Sequence, residues 1–315
     1  MSKFSSADHY LSRDHHTFTF AADNTPALVV ADGDVIHVQT WDCYKGTVQE
    51  DENALDEPDL SLANPATGPI YVTGAKPGDM LAVTIIDILP ERKGVCRLFH
   101  GEGQLCDSVK APYVKFFSVV DGLISMNERV TFPSRPMLGV IGLAPEGGAA
   151  ISTMPAGKHG GNLDNNMNGI DSTIYLPVKH EGALLSIGDM HASMGDGEIC
   201  GNGLEIGGDV LIRVGVIKQI GTAYPVTETN DSWITHGVTD RGLDEGGLFG
   251  AMKIACDEAA DLLVRQWGFS REDAFVFLSV AGDLGIAQAC HPSYGSVIAK
   301  MKVPKITACP RPFNI

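Results

Sequence analysis

Short runs of apolar and β-branched residues alternate with polar positions through most of the first 230 residues, as at residues 35–40 and 81–89. Gly and Pro punctuate them: Pro77-Gly78-Asp79 stands just before the second run, and Pro155-Ala156-Gly157 marks another loop entry. Strands at this spacing predict a mainly β protein with a sandwich or barrel-like core rather than βαβ units. The period changes near the end of the chain. From residue 248 to 267, Leu248, Ala251, Met252, Ala255, Ala259, Leu262 and Leu263 follow three-and-four spacing, one face of an amphipathic helix suited to covering a sheet. Ser270-Arg-Glu-Asp273 resembles a capping box, with Asp where the strict form has Glu or Gln, and predicts a second short helix through residues 275–280. The expected organisation is a β-rich catalytic core over residues 1–230 and a smaller α+β part over 231–315. That second part packs on the core rather than standing as an independent domain.

One internal similarity bears on this layout. Residues 70–83 lie without gaps on residues 174–187, with Ile70, Tyr71, Gly78 and Leu81 matched by Ile174, Tyr175, Gly182 and Leu185. Both segments read as strand, turn, strand, which suggests a duplicated β unit, although two hairpins under one binary pattern also match in part.

Composition narrows the partners. With 44% hydrophobic and 20% charged residues the chain can bury a sizeable core. Lys and Arg number 23 against 39 Asp and Glu, a net charge of −16 that repels phosphate backbones and anionic bilayers, so neither nucleic acid nor a membrane is an expected partner. No apolar stretch is long enough for a membrane helix, and the first residues lack the apolar run of a signal peptide. Seven widely spaced cysteines without a CxxC pair argue against a disulfide framework and for a reducing cytoplasm.

Chemistry concentrates in residues 187–201, where Asp189, His191, Asp196, Glu198 and Cys200 share one glycine-punctuated stretch. Carboxylates and neutral imidazole are ligands for zinc and similar cations, and a remaining carboxylate can move protons beside the metal. The stretch reads as a metal-assisted hydrolytic site. In an extended segment Asp189 and His191 fall on one side and can address one ion. Glu198 is the candidate general base; Asp196-Gly197 is also an ordinary turn dipeptide, and an unpaired cysteine such as Cys200 is usually a small buried hydrophobe. A second cluster lies at residues 154–166, where Gly160 and Gly161 let the backbone bring His159, Asn162 and Asp164 toward one point. For Asn165 and Asn166 a plain turn role is favoured. Asp42, at the end of a β run, is either a ligand or a turn former. His100 with Glu102, and Asp283, offer weaker support, and His15-His16 reads as a solvated pair.

Several segments together resemble the acetamidase/formamidase family. They are His-Gly-Gly-Asn-Leu-Asp at 159–164, Tyr-Leu-Pro-Val at 175–178 and Gly-Asp-Met-His-Ala-Ser-Met-Gly-Asp-Gly-Glu at 188–198, with Thr-Trp-Asp-Cys at 40–43, the 64–72 and 77–79 segments, and Ser-Val-Ala-Gly-Asp-Leu-Gly-Ile-Ala-Gln at 279–288. The matches run in order over nearly the whole chain. The resemblance implies a mainly β fold, hydrolysis of a small aliphatic amide such as formamide or acetamide to carboxylate and ammonia, and assembly as a homodimer or larger homo-oligomer. Carried over by position, it puts His159, Asn162, Asp164, Asp189, His191, Asp196 and Glu198 at or near the site and adds Asp42. The chain departs from the family pattern at Met194, where many members carry Gln, and at Lys158, where Arg often precedes the His; both bear on amide recognition. The scheme these residues support has Asp42, His159, Asp189 and His191 as metal ligands, with zinc the expected ion and calcium an option at a second site. In it Asn162 and Met194 contact substrate, and Glu198, Asp196 and Asp164 handle protons. Two alternatives stand: a metal-free amidase with Cys200 as nucleophile, and a non-catalytic β-sandwich that binds Ca²⁺.

Overall fold

In a computed structural model, which describes residues 3–51, 53–148, 150–218, 221–239, 246–291 and 296–313, the chain is mainly β, and its two α-helices among the described residues lie near the carboxy terminus. A nine-stranded sheet runs, edge to edge, through His9–Leu11, Val35–Thr40, Gly208–Ile217, Met80–Pro90, Thr173–Pro177, Val226–Glu228, Ser232–Thr239, Val297–Pro304 and Asp283–Gln288. A second sheet includes Gly160–Asn162, Met137–Gly142, Leu185–His191 and Ala66–Val72, and a four-stranded sheet ends in Tyr113–Val120 and Lys93–Leu98.

The two larger sheets form a sandwich. Val35–Thr40 alternates as the sequence predicts, sending Ile36, Val38 and Thr40 inward, and Ile36 and Val38 share one core with Ile70, Leu138, Leu185 and Ile187 from the opposing sheet. Met80–Pro90 is nearly continuously apolar for a different reason: both of its faces are covered. Val83 and Ile85 face the sandwich core, whereas Met80 and Ala82 belong to a second core under helix α1 (Gly247–Trp267). That helix follows the predicted face, with Ala251, Ala255, Ala259, Leu262 and Leu263 buried. Gly237 is what lets it lie so close to the sheet, since a Cβ there would run into the Ala251 carbonyl and the Ala255 nitrogen. Helix α2 (Arg271–Ala281) starts at the predicted cap, the Asp273 N–H donating to Ser270 Oγ at 3.0 Å. Strands from residues 231–315 extend the nine-stranded sheet rather than forming one of their own.

The two similar segments are not hairpins. Each carries one strand in each sheet: Ala66–Val72 crosses to Met80–Pro90, and Thr173–Pro177 crosses back to Leu185–His191. The first strand of each pairs antiparallel with the second strand of the other, with Ile70 opposite Leu185 and Leu81 opposite Leu176. Their connections interlock in the same sense, Gly78 N–H donating to the Val178 carbonyl and Gly182 N–H to the Ala75 carbonyl. Ile70, Ile174, Leu81 and Leu185 all enter the sandwich core, whereas Tyr71 and Gly78 are more exposed than Tyr175 and Gly182, so the pairing ties the sheets together at their middle without giving every matched residue the same surroundings.

Candidate active site

Strands of both sheets end at a common rim, and the chemistry-bearing residues gather there. Asp164 follows Gly160–Asn162, and Asp189 and His191 finish Leu185–His191. Glu198 and Glu205 lie in the long connection to Gly208–Ile217, and Gln288 is the last residue of the edge strand Asp283–Gln288. The spacing-of-two argument assumes a regular strand, but Asp189 has φ +52° and kinks it. Asp164 (φ +38°) and Glu198 (φ +45°) share this left-handed conformation, which is costly for side chains bearing a Cβ and clusters at functional sites. Gly139, on the neighbouring strand Met137–Gly142, makes room for two of them, because a Cβ there would collide with the carboxylates of both Asp164 and Asp189.

The result is a buried acidic cluster. Asp164, Asp189, Glu198 and Glu205 are 1%, 3%, 6% and 1% exposed, and among the described residues no lysine or arginine pairs with any of them. Their cationic partner is His191, whose Nε2 lies 3.0 Å from Glu205 Oε1 and 3.4 Å from Asp189 Oδ1. Neither approach has the angle of a hydrogen bond, and both His191 nitrogens, Asp164 Oδ1, Asp189 Oδ1, His159 Nε2 and Asn162 Oδ1 are buried without a hydrogen-bond partner in the protein. Gln288 Nε2 joins the other side of the cluster, donating to Asp164 Oδ2 and, at 2.9 Å, to Glu198 Oε2. Burial pushes Asp164, Glu198 and Glu205 up, Glu205 to about 8, and their mutual repulsion adds to the shift at Asp164. Burial alone would lower His191, but the carboxylates of Glu205 and Asp189 outweigh it and raise it well above the usual imidazole range. Four desolvated carboxylates around one imidazole call for positive charge, from protons or from a cation.

Two sets of ligand atoms stand close enough for one ion: Cys43, Asp189 and Glu205, and Asp164, His191 and Glu198. Residues Asp42 and His159 are in neither. Asp42 Oδ1 accepts from the backbone N–H groups of Tyr44 (2.9 Å) and Gly46 (2.8 Å), the turn-forming alternative of the sequence reading, and burial raises it to about 6. His159 packs edge-on against Phe20, and burial lowers it to about 4, so the ring is neutral near pH 7. Asn162, Asp164, Asp189 and Glu198 line one cavity of about 580 Å³ with Tyr44, Phe99, His100 and Glu102. Asp196 points elsewhere: half exposed, it pairs with the buried Lys300. Met194 is buried, its carbonyl 3.5 Å from Asn166 Nδ2, and does not line that cavity. Cys200 Sγ has Cys96 Sγ and the Asn202 carbonyl as hydrogen-bond partners. Asn165 does serve a turn, accepting from Met167 N–H, but also bonds His236. Asp283 is exposed at the start of the edge strand.

Sequence reasoning missed Glu205, Gln288 and Cys43 as site residues. Cys43 and Gln288 sit inside segments already singled out, whereas Glu205 stands alone between Leu204 and Ile206, where its only signal is an acid in an otherwise apolar triplet.

A sequence model of the Acetamidase/Formamidase family matches residues 12–148 and 146–292. The chain belongs to this family. It is 28% identical to the acetamidase of Mycolicibacterium smegmatis, over 88% of each chain, and 29% identical to the formamidase of Methylophilus methylotrophus, over 83% of this chain and 84% of that one. Among solved structures it is similar to a predicted acetamidase/formamidase from Thermoanaerobacter tengcongensis (TM-score 0.88, 38% identity, 94% of this chain and 95% of that one). It is also similar to an acetamidase from Bacillus halodurans (TM-score 0.87, 35% identity, 94% and 97%). A γ-lactamase from Delftia acidovorans, at 23% identity and a TM-score of 0.65, shares the fold. Membership makes the protein an amidohydrolase and sets aside the non-catalytic Ca²⁺-binding sandwich. Among the described residues no helix is long and apolar enough to cross a membrane.

Proposed function

We propose that this family member hydrolyses small linear amides, formamide and acetamide being the first to test, to carboxylate and ammonia with the help of a divalent cation held at the acidic cluster. The observation that carries the reading is the set of four buried carboxylates around His191, with Asp164 Oδ1, Asp189 Oδ1 and both imidazole nitrogens left without a partner in the protein. Asp189 and Glu205 come from the first ligand set, and His191 Nε2, 3.4 Å and 3.0 Å from their oxygens, completes with them the group best placed to hold the ion. Zinc fits them, being compatible with both imidazole and carboxylate. When bound, such an ion polarises the amide carbonyl and makes water a competent nucleophile near neutral pH. With such an ion held there, His191 would be neutral and could ligate.

The remaining steps belong to the protein. Glu198 takes a proton from the attacking water and returns it to the departing nitrogen, which otherwise leaves poorly because of amide resonance. Gln288 holds Glu198 and Asp164 in register, and Asn162, with its free carbonyl oxygen, is placed to accept from the substrate –NH₂. A cavity of about 580 Å³ leaves space for acyl groups larger than acetyl, so the amide panel should extend beyond two carbons.

Metal analysis of the purified protein, coupled to ammonia release across formamide, acetamide and longer amides, tests this reading. Stoichiometric metal, loss of turnover on chelation and recovery with Zn²⁺ are expected. Full activity without bound metal would overturn the cation scheme and return attention to Cys200, whose thiol is lowered to about 7 chiefly by its hydrogen bond to Cys96. In that case alkylation should inactivate the enzyme.

A further inference from the structure

Cys96 and Cys200 face each other beside the active-site connection, yet the hydrolytic scheme uses neither. Their sulfurs are 3.6 Å apart, and both residues are partly accessible. Cys96 lies on the strand Lys93–Leu98, held to the site by reciprocal backbone hydrogen bonds between its neighbour Val95 and Glu205, each 2.9 Å. On its other side Arg97 N–H donates to Asn202 Oδ1 at 3.1 Å. Cys200 belongs to the turn that Glu198 begins, closed by Gly201 N–H donating to the Glu198 carbonyl at 2.8 Å. From these placements we infer that Cys96 and Cys200 form a reversible dithiol switch, closed to a disulfide by a peroxide, that alters turnover by moving the Glu198 turn.

The chemistry balances with hydrogen peroxide as oxidant. Cys200 sulfur attacks one peroxide oxygen, the O–O bond breaks and water leaves, giving a sulfenic acid. Cys96 sulfur then attacks that sulfur, the S–O bond breaks and a second water leaves. Two electrons pass from the two thiols to the peroxide, and a dithiol reductant reverses the reaction. Closing the present gap to the roughly 2.05 Å of a disulfide needs a shift of about 1.5 Å in total. Lys93–Leu98 is paired along its length with Tyr113–Val120, whereas the carbonyl of Ile199 in the Glu198–Gly201 turn accepts a single backbone bond from Gln104 N–H at 2.7 Å, so the turn takes up most of that shift. Glu198 would then be drawn off its hydrogen bond with Gln288.

Peptide mapping without reductant decides the point independently of any amidase assay. After peroxide treatment of the intact protein, a peptide pair joined through residues 96 and 200, lighter by two hydrogens, is expected and should vanish with dithiothreitol. Ammonia release should fall by roughly tenfold or more, in keeping with the cost of a misplaced catalytic group, and return on reduction. C96S should keep basal activity and resist peroxide, and C200S should likewise form no cross-link. If peroxide yields no linked peptide from the wild-type protein, or if C96S loses activity as the wild type does, the switch is refuted. The second result would point instead to oxidation of Cys290, 3.5 Å from Glu198.

Discussion

Glu198 is held by the Gln288 amide and the Cys290 thiol, and burial raises its pKa, which brings a carboxylate closer to the basicity of the proton it must move. The Glu198→Gln variant keeps the shape and loses the base. Its kcat for amide hydrolysis is expected to fall by roughly 10²–10⁴, the usual contribution of a positioned general base. A cation held as proposed should persist in the variant, because Asp189, His191 and Glu205 remain. Metal content and kcat measured on one preparation check both halves, and a variant with wild-type turnover would remove Glu198 from the mechanism. At this scale the sequence carried Asp164, Asp189, Glu198 and His191, since residue type and clustering select them, but not Glu205, which stands alone between apolar residues. It could not carry their arrangement. Gly139 allows Asp164 and Asp189 to approach, yet as a letter in an apolar run it reads as an ordinary strand residue. Asp42 and His159 show the converse: both are ligand types in suggestive segments, and only the backbone bonds to Asp42 and the packing of His159 on Phe20 set them apart from the ligand groups.

Elements were legible where one face alone is buried. Val35–Thr40 alternates with period two, and α1 keeps period 3.6, so both were found with boundaries close to those observed. The crossing of the paired segments between sheets was not legible, because a strand, a turn and a strand have the same pattern whether the second strand folds back or changes layer. The contact of α1 with Ser232–Thr239 supplies a test of what such patterns omit. Thr235 Oγ1 donates to the Ala255 carbonyl at 2.7 Å, and Gly237 lies directly beneath the helix backbone. In Gly237→Ala the new Cβ meets main chain on both sides, so the helix must lift as a body. Overpacking of this kind typically costs about 1–3 kcal/mol, which should appear as a lower urea midpoint with an unchanged slope. An unaltered midpoint would mean that the helix floats on the sheet, contrary to this packing.

For the whole molecule, buried ionisable groups make stability depend on pH in two directions. The raised carboxylates of the site gain stability as pH falls, whereas His236 opposes them. Its Nδ1–H donates to the Pro225 carbonyl at 2.9 Å, and Nε2 accepts from Asn165 Nδ2 at 2.8 Å, so the neutral ring is the bonded form. Burial, with the nearby Lys300 charge, lowers it from 6.5 to about 4. Between those values the unfolded chain binds a proton that the folded protein refuses, and stability from this group is lost as pH falls from about 6.5 to about 4. The loss is on the order of 3 kcal/mol. Comparing wild type with His236→Gln cancels the carboxylates. Urea unfolding at pH 7 and pH 4 should show the wild type losing that much more than the variant, and parallel losses would contradict the assignment.

Assembly is argued at the same scale. The edge strand Asp283–Gln288 pairs with Val297–Pro304 on one side and, among the described residues, is bridged on the other only at its Gln288 end by Gly197, and beside it Phe249, Phe275 and Val280 are 81%, 71% and 78% exposed. Phe249 and Phe275, with Met252 and Leu284, border one largely apolar groove across α1, α2 and that strand. An apolar face beside an open sheet edge invites association, and a second copy of the same chain is the occupant that the resemblance implies. Because Phe275 and Val280 are exposed in the single chain, replacing both by Glu should leave folding intact and shift the mass seen by light scattering toward that of one chain. The same strand ends in Gln288, which holds Glu198 and Asp164, so loosening it should also lower kcat more than it raises KM. A variant that stays associated, with kinetics unchanged, would place the interface elsewhere.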